Sequence, residues 1–352
     1  MQMRKVFDYS FLAKKLLPPE LLNVTNAITE LKTLENIRKE NFSEIFKSLE
    51  QSAKIMSVQS SNEIEGIVTS EQRLIRIVSK NEAPITRDEA EIAGYRDALN
   101  LIHTSHEEMN ITEKQILQLH KIMLSYTTAK SGTYKKNDNL ILEIDKNGNR
   151  KIRFSPVLAK NTHSAMEQML LAFIEAQSNY KTSQLLLIPC FILDFLCIHP
   201  FSDGNGRISR LLSLLLLYKN GFDAGKYISF EGYINKNKND YYHALKHSSE
   251  GWHNNKNSYL PFIENFLQSL LLCYKELDRH FTFANNKKIS KKNRIEASVL
   301  ESLLPISKKE IQNLLPDVSP TTIEAVLATM LKGGLIRKIG TARNTKYLTS
   351  QA

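Results

Sequence analysis

The chain has few cysteines and no apolar segment of membrane-spanning length. Its 352 residues include only three cysteines, and two of them, Cys190 and Cys197, lie in an apolar segment where buried, reduced thiols are common. That segment, residues 185–198, contains Asp194 and is shorter than the roughly 20 residues that a bilayer requires. The N-terminus also lacks the apolar core of a signal peptide. We therefore expect a cytoplasmic protein without a disulfide framework, a cysteine metal site or a membrane partner.

What the chain has in excess is positive charge. Lys and Arg number 47 against 37 Asp and Glu, a net charge of +10, while a hydrophobic content of 42% is ordinary for a globular protein. Residues 287–352 hold twelve of the basic residues but only five acidic ones. Most of the excess is therefore local to the C-terminal segment.

Apolar residues recur at three- and four-residue intervals through most of the chain, which predicts a mostly α-helical fold. One interruption lies at residues 139–155, where two β-rich runs flank the sequence KNGN, and Asn-Gly predicts a β-hairpin. After a basic linker, residues 294–332 predict three short helices with serine N-caps, and residues 335–350 predict another hairpin. Three helices followed by a two-stranded wing are the pattern of a winged helix-turn-helix domain.

The stretch CIHPFSDGNGRISRLL carries polar residues between two apolar runs. Because a residue before proline is disfavoured in a helix, His199 before Pro200 should end the first helix. Gly204 and Gly206 permit the positive φ angles that turn backbone N–H groups into an anion nest. A second helix beginning at about Asn205 would point its positive end into the same space. The pattern predicts an anion site between two core helices.

The charged side chains of this loop fit phosphate chemistry. Arg207 and Arg210 share one helical face and would direct two guanidinium forks at phosphate oxygens. Asp203 suits a Mg²⁺ ion held by one carboxylate and substrate phosphates, and His199 suits deprotonation of a hydroxyl near neutral pH. Taken singly, each residue also fits an ordinary glycine-rich turn with surface arginines. As a set, they predict phosphoryl or nucleotidyl transfer from a Mg-nucleotide to a hydroxyl.

The same stretch resembles the complete Fic family signature, His-x-Phe-x-Asp-Gly-Asn-Gly-Arg-x-x-Arg, and matches all eight of its fixed positions. The resemblance covers roughly residues 50–281 and implies transfer of AMP from ATP to a Ser, Thr or Tyr hydroxyl of a target protein or of the chain itself. His199 would be the general base, Asp203 the Mg²⁺ ligand, and the arginines would neutralise the leaving pyrophosphate. Nucleotide contacts are implied for Asp203, Gly204, Asn205, Gly206, Arg207, Ile208, Ser209 and Arg210. The implied domains are an N-terminal helical region (1–105), a Fic catalytic core (106–284) and the winged helix-turn-helix domain (285–352).

The hairpin at residues 139–155 resembles the family's flap, whose edge pairs with an extended target segment by strand addition. Lys151, Ile152 and Arg153 fall where flap residues touch nucleotide and target. A solvent-facing hairpin with a basic edge is the alternative. Before the flap, the chain departs from many relatives by carrying Lys135 where they carry arginine.

The helix containing Tyr241 and Tyr242 resembles the family's adenine-side helix, and both tyrosines are implied to contact the nucleotide. Adjacent tyrosines on a helix also fit one core and one surface residue. Ser249 stands where relatives carry an asparagine that contacts the nucleotide, which puts the details of base recognition in doubt.

The upstream sequence SSNEIEG resembles the family's inhibitory-helix signature. Ser61 and Glu65 are four residues apart, so they share a face near a helix C-terminus that Gly66 would cap. A carboxylate there is unfavourable unless it meets a cation. The resemblance implies that Glu65 pairs with Arg210 and inhibits ATP binding in cis; a solvated helix-end glutamate is the alternative.

The basic C-terminal segment invites contact with DNA through a recognition helix and a basic wing. The predicted recognition helix offers few side chains for base edges beyond Thr321, Thr322 and Glu324. Winged helices also serve as protein-docking or dimerisation modules, so a homodimer is another use of this segment. A rival function for the chain is a DNA-binding regulator whose Fic domain only senses nucleotide, and a nearer rival is transfer of another phosphate-containing group.

Overall fold

The structure, a computed structural model, describes residues 5–14, 18–144, 150–178, 182–285, 290–300, 305–340 and 345–350. Its first helices are α1 (Phe11–Lys14), α2 (Pro19–Asn41), α3 (Ser43–Ile64), α4 (Glu71–Lys80), α5 (Arg87–Ser105) and α6 (Glu113–Met123). They are followed by α7 (Thr162–Ser178), α8 (Gln184–Ile198), α9 (Asn205–Lys219), α10 (Phe230–Lys236), α11 (Lys238–Ser249) and α12 (Leu260–Asn285). The predicted, mostly α-helical fold is confirmed.

A β-hairpin separates α6 from α7 and confirms the prediction for this segment. Strands β1 (Ile141–Ile144) and β2 (Arg150–Phe154) are antiparallel, and Leu142 lies opposite Ile152. The predicted KNGN turn lies outside the described residues. At the base of the hairpin, Asp138 accepts a hydrogen bond of 2.7 Å from the backbone N–H of Ala159. We call this hairpin the flap.

Helix α8 lies at the centre of the fold, and all of its residues after the first are buried. It packs against α7, α9 and α12. The hydrophobic core around it includes residues from Phe7 to Phe281, so the predicted N-terminal region and catalytic core share one interior. All three cysteines are buried, which raises the pKa of their thiols. Within the described ranges, no helix is both long and apolar enough to cross a membrane.

Asp194 is a fully buried carboxylate on α8 that joins distant parts of the chain. It accepts hydrogen bonds from the Tyr9 hydroxyl at 2.9 Å, the Trp252 indole at 2.6 Å and the Tyr259 hydroxyl at 2.9 Å. Burial raises the pKa of Asp194, while these donors oppose the rise. A buried carboxylate requires such partners, so Asp194 fixes the N-terminal segment and the start of α12 against α8.

The C-terminal segment has a hydrophobic core of its own. Its elements are α13 (Lys291–Leu300), β3 (Ile306–Ser307), α14 (Lys308–Leu314), α15 (Pro320–Lys332), β4 (Ile336–Ile339) and β5 (Lys346–Thr349). The strands form an antiparallel sheet in the order β3-β5-β4, and Ser307 and Ser319 cap α14 and α15. Helix α14 packs against α3. Part of the predicted wing, residues 341–344, lies outside the described residues, and the winged-helix assignment and domain boundaries stay predictions.

Candidate active site

The loop between α8 and α9 begins with a tight turn at His199. Helix α8 ends at Ile198, as Pro200 predicts, and His199 adopts left-handed backbone angles of φ 52° and ψ 61°. The Nδ1 atom of His199 lies 3.3 Å from the carbonyl oxygen of Leu196. Because a carbonyl can only accept, Nδ1 carries the proton, and the neutral ring leaves Nε2 with a free lone pair.

The environment of His199 favours this neutral form. Burial lowers its pKa to about 4, against the opposing hydrogen bond to Leu196, and the positive charge of Lys135 lowers it further. A histidine with an ordinary pKa near 6.5 would be partly protonated at neutral pH. At neutral pH His199 is therefore unprotonated at Nε2.

Side chains beneath the loop hold its backbone in place. Asn205 accepts from the backbone N–H of Phe201 at 2.9 Å and donates to the carbonyl of Phe201 at 2.8 Å. Helix α9 begins at Asn205, as predicted, after Gly204 with a φ of 79°. The Asn205 side chain is thus used within the loop, and only its backbone remains for a phosphate.

His120 on α6 is a further support that sequence reasoning missed. Its ring stacks on Phe201 with a centroid distance of 3.7 Å. Its Nδ1 accepts from Gly132 at 2.9 Å, so Nε2 donates to the carbonyl of Asp203 at 3.1 Å. Burial lowers the pKa of His120 to about 4. No spacing or motif around His120 in the sequence indicates this role.

Arg210 on α9 meets the end of α3. Its Nη2 donates to Glu65 Oε1 at 2.7 Å and to the carbonyl of Ser61 at 2.9 Å, and its Nε donates to the Ser61 hydroxyl at 2.8 Å. Helix α3 ends at Ile64, and Gly66 follows with a φ of 80°. The upstream motif and the loop motif therefore meet in space, 145 residues apart in the chain.

The Glu65 carboxylate also lies directly over the first turn of α9. A Cβ atom built on Gly206 would be only 2.4 Å from Glu65 Oε1 and 3.3 Å from an Arg210 nitrogen. Glycine at this position therefore permits the close approach. Since helix N-termini attract anions, Glu65 occupies the anion site that the sequence predicts for phosphate.

Arg207 differs from the expectation that both arginines face one ligand space. It is buried, with Nη2 at 2.7 Å from Glu91 Oε2 on α5. Its Nε and Nη1 atoms are buried and have no hydrogen-bond partner among the described residues. Sharing a helical face did not bring the two guanidinium groups together, because Arg207 turns towards α5 and Arg210 towards α3.

Asp203 lies at the rim of the loop. Its side chain is 59% exposed, and Oδ1 accepts from the backbone N–H of Gly204 at 2.6 Å. It borders a cavity of about 650 Å³ together with Thr86 and Glu91. An exposed carboxylate fits the one or two protein carboxylates that Mg²⁺ commonly takes.

A second cavity, of about 770 Å³, contains the groups suited to chemistry. His199, Gly206, Arg210 and Glu65 form one side of it. Residues of the flap and of α11 form the other side, namely Leu140, Ile141, Leu142, Glu143, Arg153, Asn239, Tyr241, Tyr242, His243, Leu245 and Lys246. A neutral base, a buried arginine and a helix N-terminus thus share one space.

Residues 110–217, which contain this loop, match the family model described as Fic/DOC family. The chain carries a Fic domain. A Protein adenylyltransferase Fic of Drosophila ananassae is 30% identical over 168 residues, which are 46% of this chain and 29% of the relative. A Fido domain-containing protein of Dictyostelium discoideum is 34% identical over 65 residues, 17% of this chain and 46% of the relative. This chain therefore spans less than half the length of these curated relatives.

Solved Fic structures share the fold. A Fic family protein from Desulfovibrio desulfuricans G20 has a TM-score of 0.63 at 18% identity, covering 96% of this chain and 98% of that chain. Fic-1 of C. elegans has a TM-score of 0.58 at 18% identity, covering 75% of this chain and 72% of that chain. At these identities the likeness concerns the fold alone.

Of the three flap residues assigned to nucleotide and target, only Arg153 is among the described residues that line the 770 Å³ cavity. Arg153 lines it, with its guanidinium 6.0 Å from the centre of the Tyr242 ring. Lys151 and Ile152 are exposed on β2 and are not among the described residues that line the cavity. The flap is held over α11 by an ion pair of 2.9 Å between Glu143 and Lys246.

Three residues assigned to the nucleotide from the sequence have other partners. Ile208 is fully buried in the core. The hydroxyl of Ser209 donates to the Gly206 carbonyl at 2.7 Å, and that of Ser249 donates to the Lys246 carbonyl at 2.9 Å. None of the three is among the described residues that line the cavity. Tyr241 is buried and Tyr242 is half-buried, and both do line it.

Proposed function

We propose that this chain transfers AMP from ATP to a Ser, Thr or Tyr hydroxyl of a protein, including its own chain. The hydroxyl oxygen forms a bond to the α-phosphorus of ATP, the bond from that phosphorus to the β-phosphate oxygen breaks, and pyrophosphate leaves. The observation that carries the proposal is the neutral His199 imidazole, which shares a cavity with Arg210 and the N-terminus of α9. His199 Nε2 accepts the proton of the attacking hydroxyl.

The phosphates of ATP would bind at the first turn of α9. Backbone N–H groups around Gly206 and the positive end of the helix favour an anion there, and Arg210 would pair with the terminal phosphate. Asp203 would hold Mg²⁺, which when bound neutralises charge on the phosphates. Arg207 is paired with Glu91 and would stabilise the phosphates through its positive charge, without direct contact.

The adenosine and the target would enter from the flap side. Tyr241 and Tyr242 offer aromatic surface to adenine, and Arg153 stands next to Tyr242. An extended target segment would pair with an edge strand of the flap, where Lys151 and Ile152 are exposed. Ser249 has its hydroxyl engaged with its own helix, so we assign it no contact with the nucleotide.

We further propose that Glu65 inhibits the enzyme in cis. Its carboxylate pairs with the guanidinium of Arg210 and occupies the space over Gly206. The phosphates of ATP would need the same guanidinium and the same space. Two anions cannot share this space without strong repulsion. ATP binding therefore requires Glu65 to leave, and removal of its carboxylate should activate the enzyme.

The test compares wild type, Glu65→Gly and His199→Ala, each incubated with Mg²⁺ and ATP labelled at the α-phosphate. Wild type should incorporate little label, and Glu65→Gly at least about tenfold more. The double variant Glu65→Gly/His199→Ala should incorporate at least about 100-fold less label than Glu65→Gly. His163→Ala, a change at a histidine whose side chain is 68% exposed, is the matched control and should behave like wild type.

Two outcomes would contradict these proposals separately. Equal label in wild type and Glu65→Gly would remove the inhibitory role but not the transfer. Absence of α-label from every variant would contradict AMP transfer and favour a nucleotide-sensing regulator. A parallel reaction with ATP labelled at the γ-phosphate would detect phosphoryl transfer instead.

A second function is proposed for the C-terminal segment, which would contact DNA phosphates without reading bases. Lys332 at the end of α15 and Arg337 and Lys338 on β4 are exposed. In the predicted recognition helix, the hydroxyls of Thr321 and Thr322 bond to that of Ser319 at 2.9 and 2.8 Å. Glu324 is paired with Lys308 at 2.7 Å. These partners support backbone contact over base recognition.

Filter binding of duplex DNA at low and high salt tests this function. The variant Arg337→Gln/Lys338→Gln should bind more weakly and reduce the salt dependence by about two phosphate contacts. The control Lys80→Gln/Lys160→Gln removes the same charge from exposed lysines outside the segment. Equal affinity for both double variants, or no binding by wild type, would reject DNA contact.

A further inference from the structure

The backbone of His199 has a conformation that needs support. A non-glycine residue with a positive φ costs about 1–2 kcal/mol and persists only where the surroundings fix it. The φ of His199 is 52°. The residues on either side of it are Ile198 and Pro200, and hydrogen bonds to their carbonyls help to fix the turn that aims the imidazole.

Lys135 binds both of these carbonyls. Its ammonium donates to the Ile198 carbonyl at 3.2 Å, and its backbone N–H donates to the Pro200 carbonyl at 2.9 Å. The ammonium also donates to Asn139 Oδ1 at 2.7 Å, and Asn139 Nδ2 donates to the Phe201 carbonyl at 3.2 Å. Lys135 is only 4% exposed, so these bonds are shielded from water.

The same ammonium acts on His199 through its charge. It disfavours the imidazolium, as does Arg153, while Glu65 favours the imidazolium. Burial lowers the pKa of Lys135 itself to about 8, against an opposing effect of Asp138. Below that pH the ammonium form predominates, and its charge adds to the burial that disfavours the imidazolium of His199.

We propose that Lys135 is a positioning residue for His199: it clamps the left-handed turn that presents the imidazole to the cavity. The segment that contains Lys135 and Asn139 leads directly into β1 of the flap, so the same short segment supports both the His199 turn and the flap. The kinetic part of this proposal rests on the proposed AMP transfer. The structural part does not, because the protonation of His199 can be measured without turnover.

The experiment compares Lys135→Met, Lys135→Arg and the matched control Lys136→Met, whose lysine is exposed. Histidine NMR signals are followed from pH 4 to 8, and the His199 signal is assigned by its loss in His199→Ala. Steady-state kinetics are measured in the Glu65→Gly background. In Lys135→Met the protonated fraction of His199 at pH 5 should rise, and kcat should fall about 10- to 100-fold with little change in the KM for ATP.

The activity of Lys135→Arg distinguishes a positioning role of Lys135 from a role in packing alone. Lys135→Arg keeps the charge and the donors, so it should restore the neutral His199 and most of kcat, while Lys136→Met should match wild type. An unchanged His199 titration in Lys135→Met, together with a lowered melting temperature in both Lys135 variants, would overturn the proposal. If no variant transferred AMP, the proposed function would fail, and the titrations alone would still decide the role of Lys135.

Discussion

The two arginines of α9 form ion pairs of equal length in unequal surroundings. Arg210 Nη2 lies 2.7 Å from Glu65 and Arg207 Nη2 lies 2.7 Å from Glu91. The side chain of Glu65 is 33% exposed and faces a cavity, whereas that of Glu91 is 7% exposed. An equal distance therefore does not mean an equal role.

What separates the two pairs is the availability of a substitute partner. If Glu65 leaves, water or phosphate in the cavity can replace its carboxylate at Arg210. If Glu91 is removed, Arg207 remains buried and keeps only the more distant, 59% exposed carboxylate of Asp203, 3.9 Å from its Nη2. Loss of the close partner of a buried charge costs several kcal/mol. The first pair is suited to a switch, and the second is suited to holding the loop.

The largest effect is expected from breaking the buried pair. Glu91→Ala should lower the free energy of unfolding by about 3–5 kcal/mol, because it removes the close, buried partner of a charge in the core. Urea unfolding followed by circular dichroism measures the loss. The control is Arg87→Ala, since Arg87 lies 3.3 Å from the same carboxylate but its side chain is 83% exposed. A similar loss in both variants would show that Arg207 is not what makes Glu91 important.

A smaller effect, a gain in ATP affinity, is expected at the exposed pair of Glu65 and Arg210. Glu65→Gln keeps a hydrogen-bond acceptor and removes the competing charge, so it should tighten ATP binding about tenfold, or 1.4 kcal/mol, with little loss of stability. Isothermal titration calorimetry gives the dissociation constant. The same change at Glu91 should not tighten binding; if it did, the distinction between the two pairs would fail.

The close approach of Glu65 to Gly206 can be tested by a double-mutant cycle. Gly206→Ala should destabilise the wild type more than it destabilises Glu65→Gly, because only the wild type has a carboxylate in the way. We expect a coupling free energy of about 1 kcal/mol, obtained from urea unfolding of the four proteins. Additive effects would mean that the carboxylate does not lie over this turn in solution.

The smallest expected effect is on the protonation of His199. The charge of Glu65 raises the pKa of this imidazole, so Glu65→Gln should lower it further and reduce the protonated fraction between pH 4 and 6. Glu91→Gln should leave the titration unchanged, because Glu91 is not among the groups that act on His199. Histidine NMR measures both. A shift in the opposite direction would mean that Glu65 acts on the ring other than through its charge.

Much of the loop could be predicted from local rules. Pro200 ends α8, Gly204 with its positive φ permits the start of α9 at Asn205, and Gly66 permits the end of α3. These features depend on backbone angles that a few residues determine by themselves. Gly206 lacks the positive φ that the sequence predicts for it. The pairing of Glu65 with Arg210 needed a family resemblance, because nothing in local sequence connects positions 145 residues apart.

The contacts that Glu91 and Lys135 make with the loop could not be predicted from the sequence. Glu91 is an ordinary acidic residue of a helix, and the sequence marks Lys135 only as a departure from the arginine of many relatives. Only packing shows that each is buried against the loop. The seven residues of helix α10 are too few for a periodic pattern to indicate it. For helix α4, the N-cap Ser70 is a local signal in the sequence.

Asp194 has a consequence for the order in which this chain matures. Its hydrogen bonds to Tyr9, Trp252 and Tyr259 span 185, 58 and 65 residues. Contacts of such span form late, because chain entropy opposes closing long loops. On the ribosome, α8 must therefore wait for residues synthesised well after it before its buried carboxylate has all three donors. The hydrogen bonds that fix the helix presenting His199 are complete only when residues up to Tyr259 have emerged.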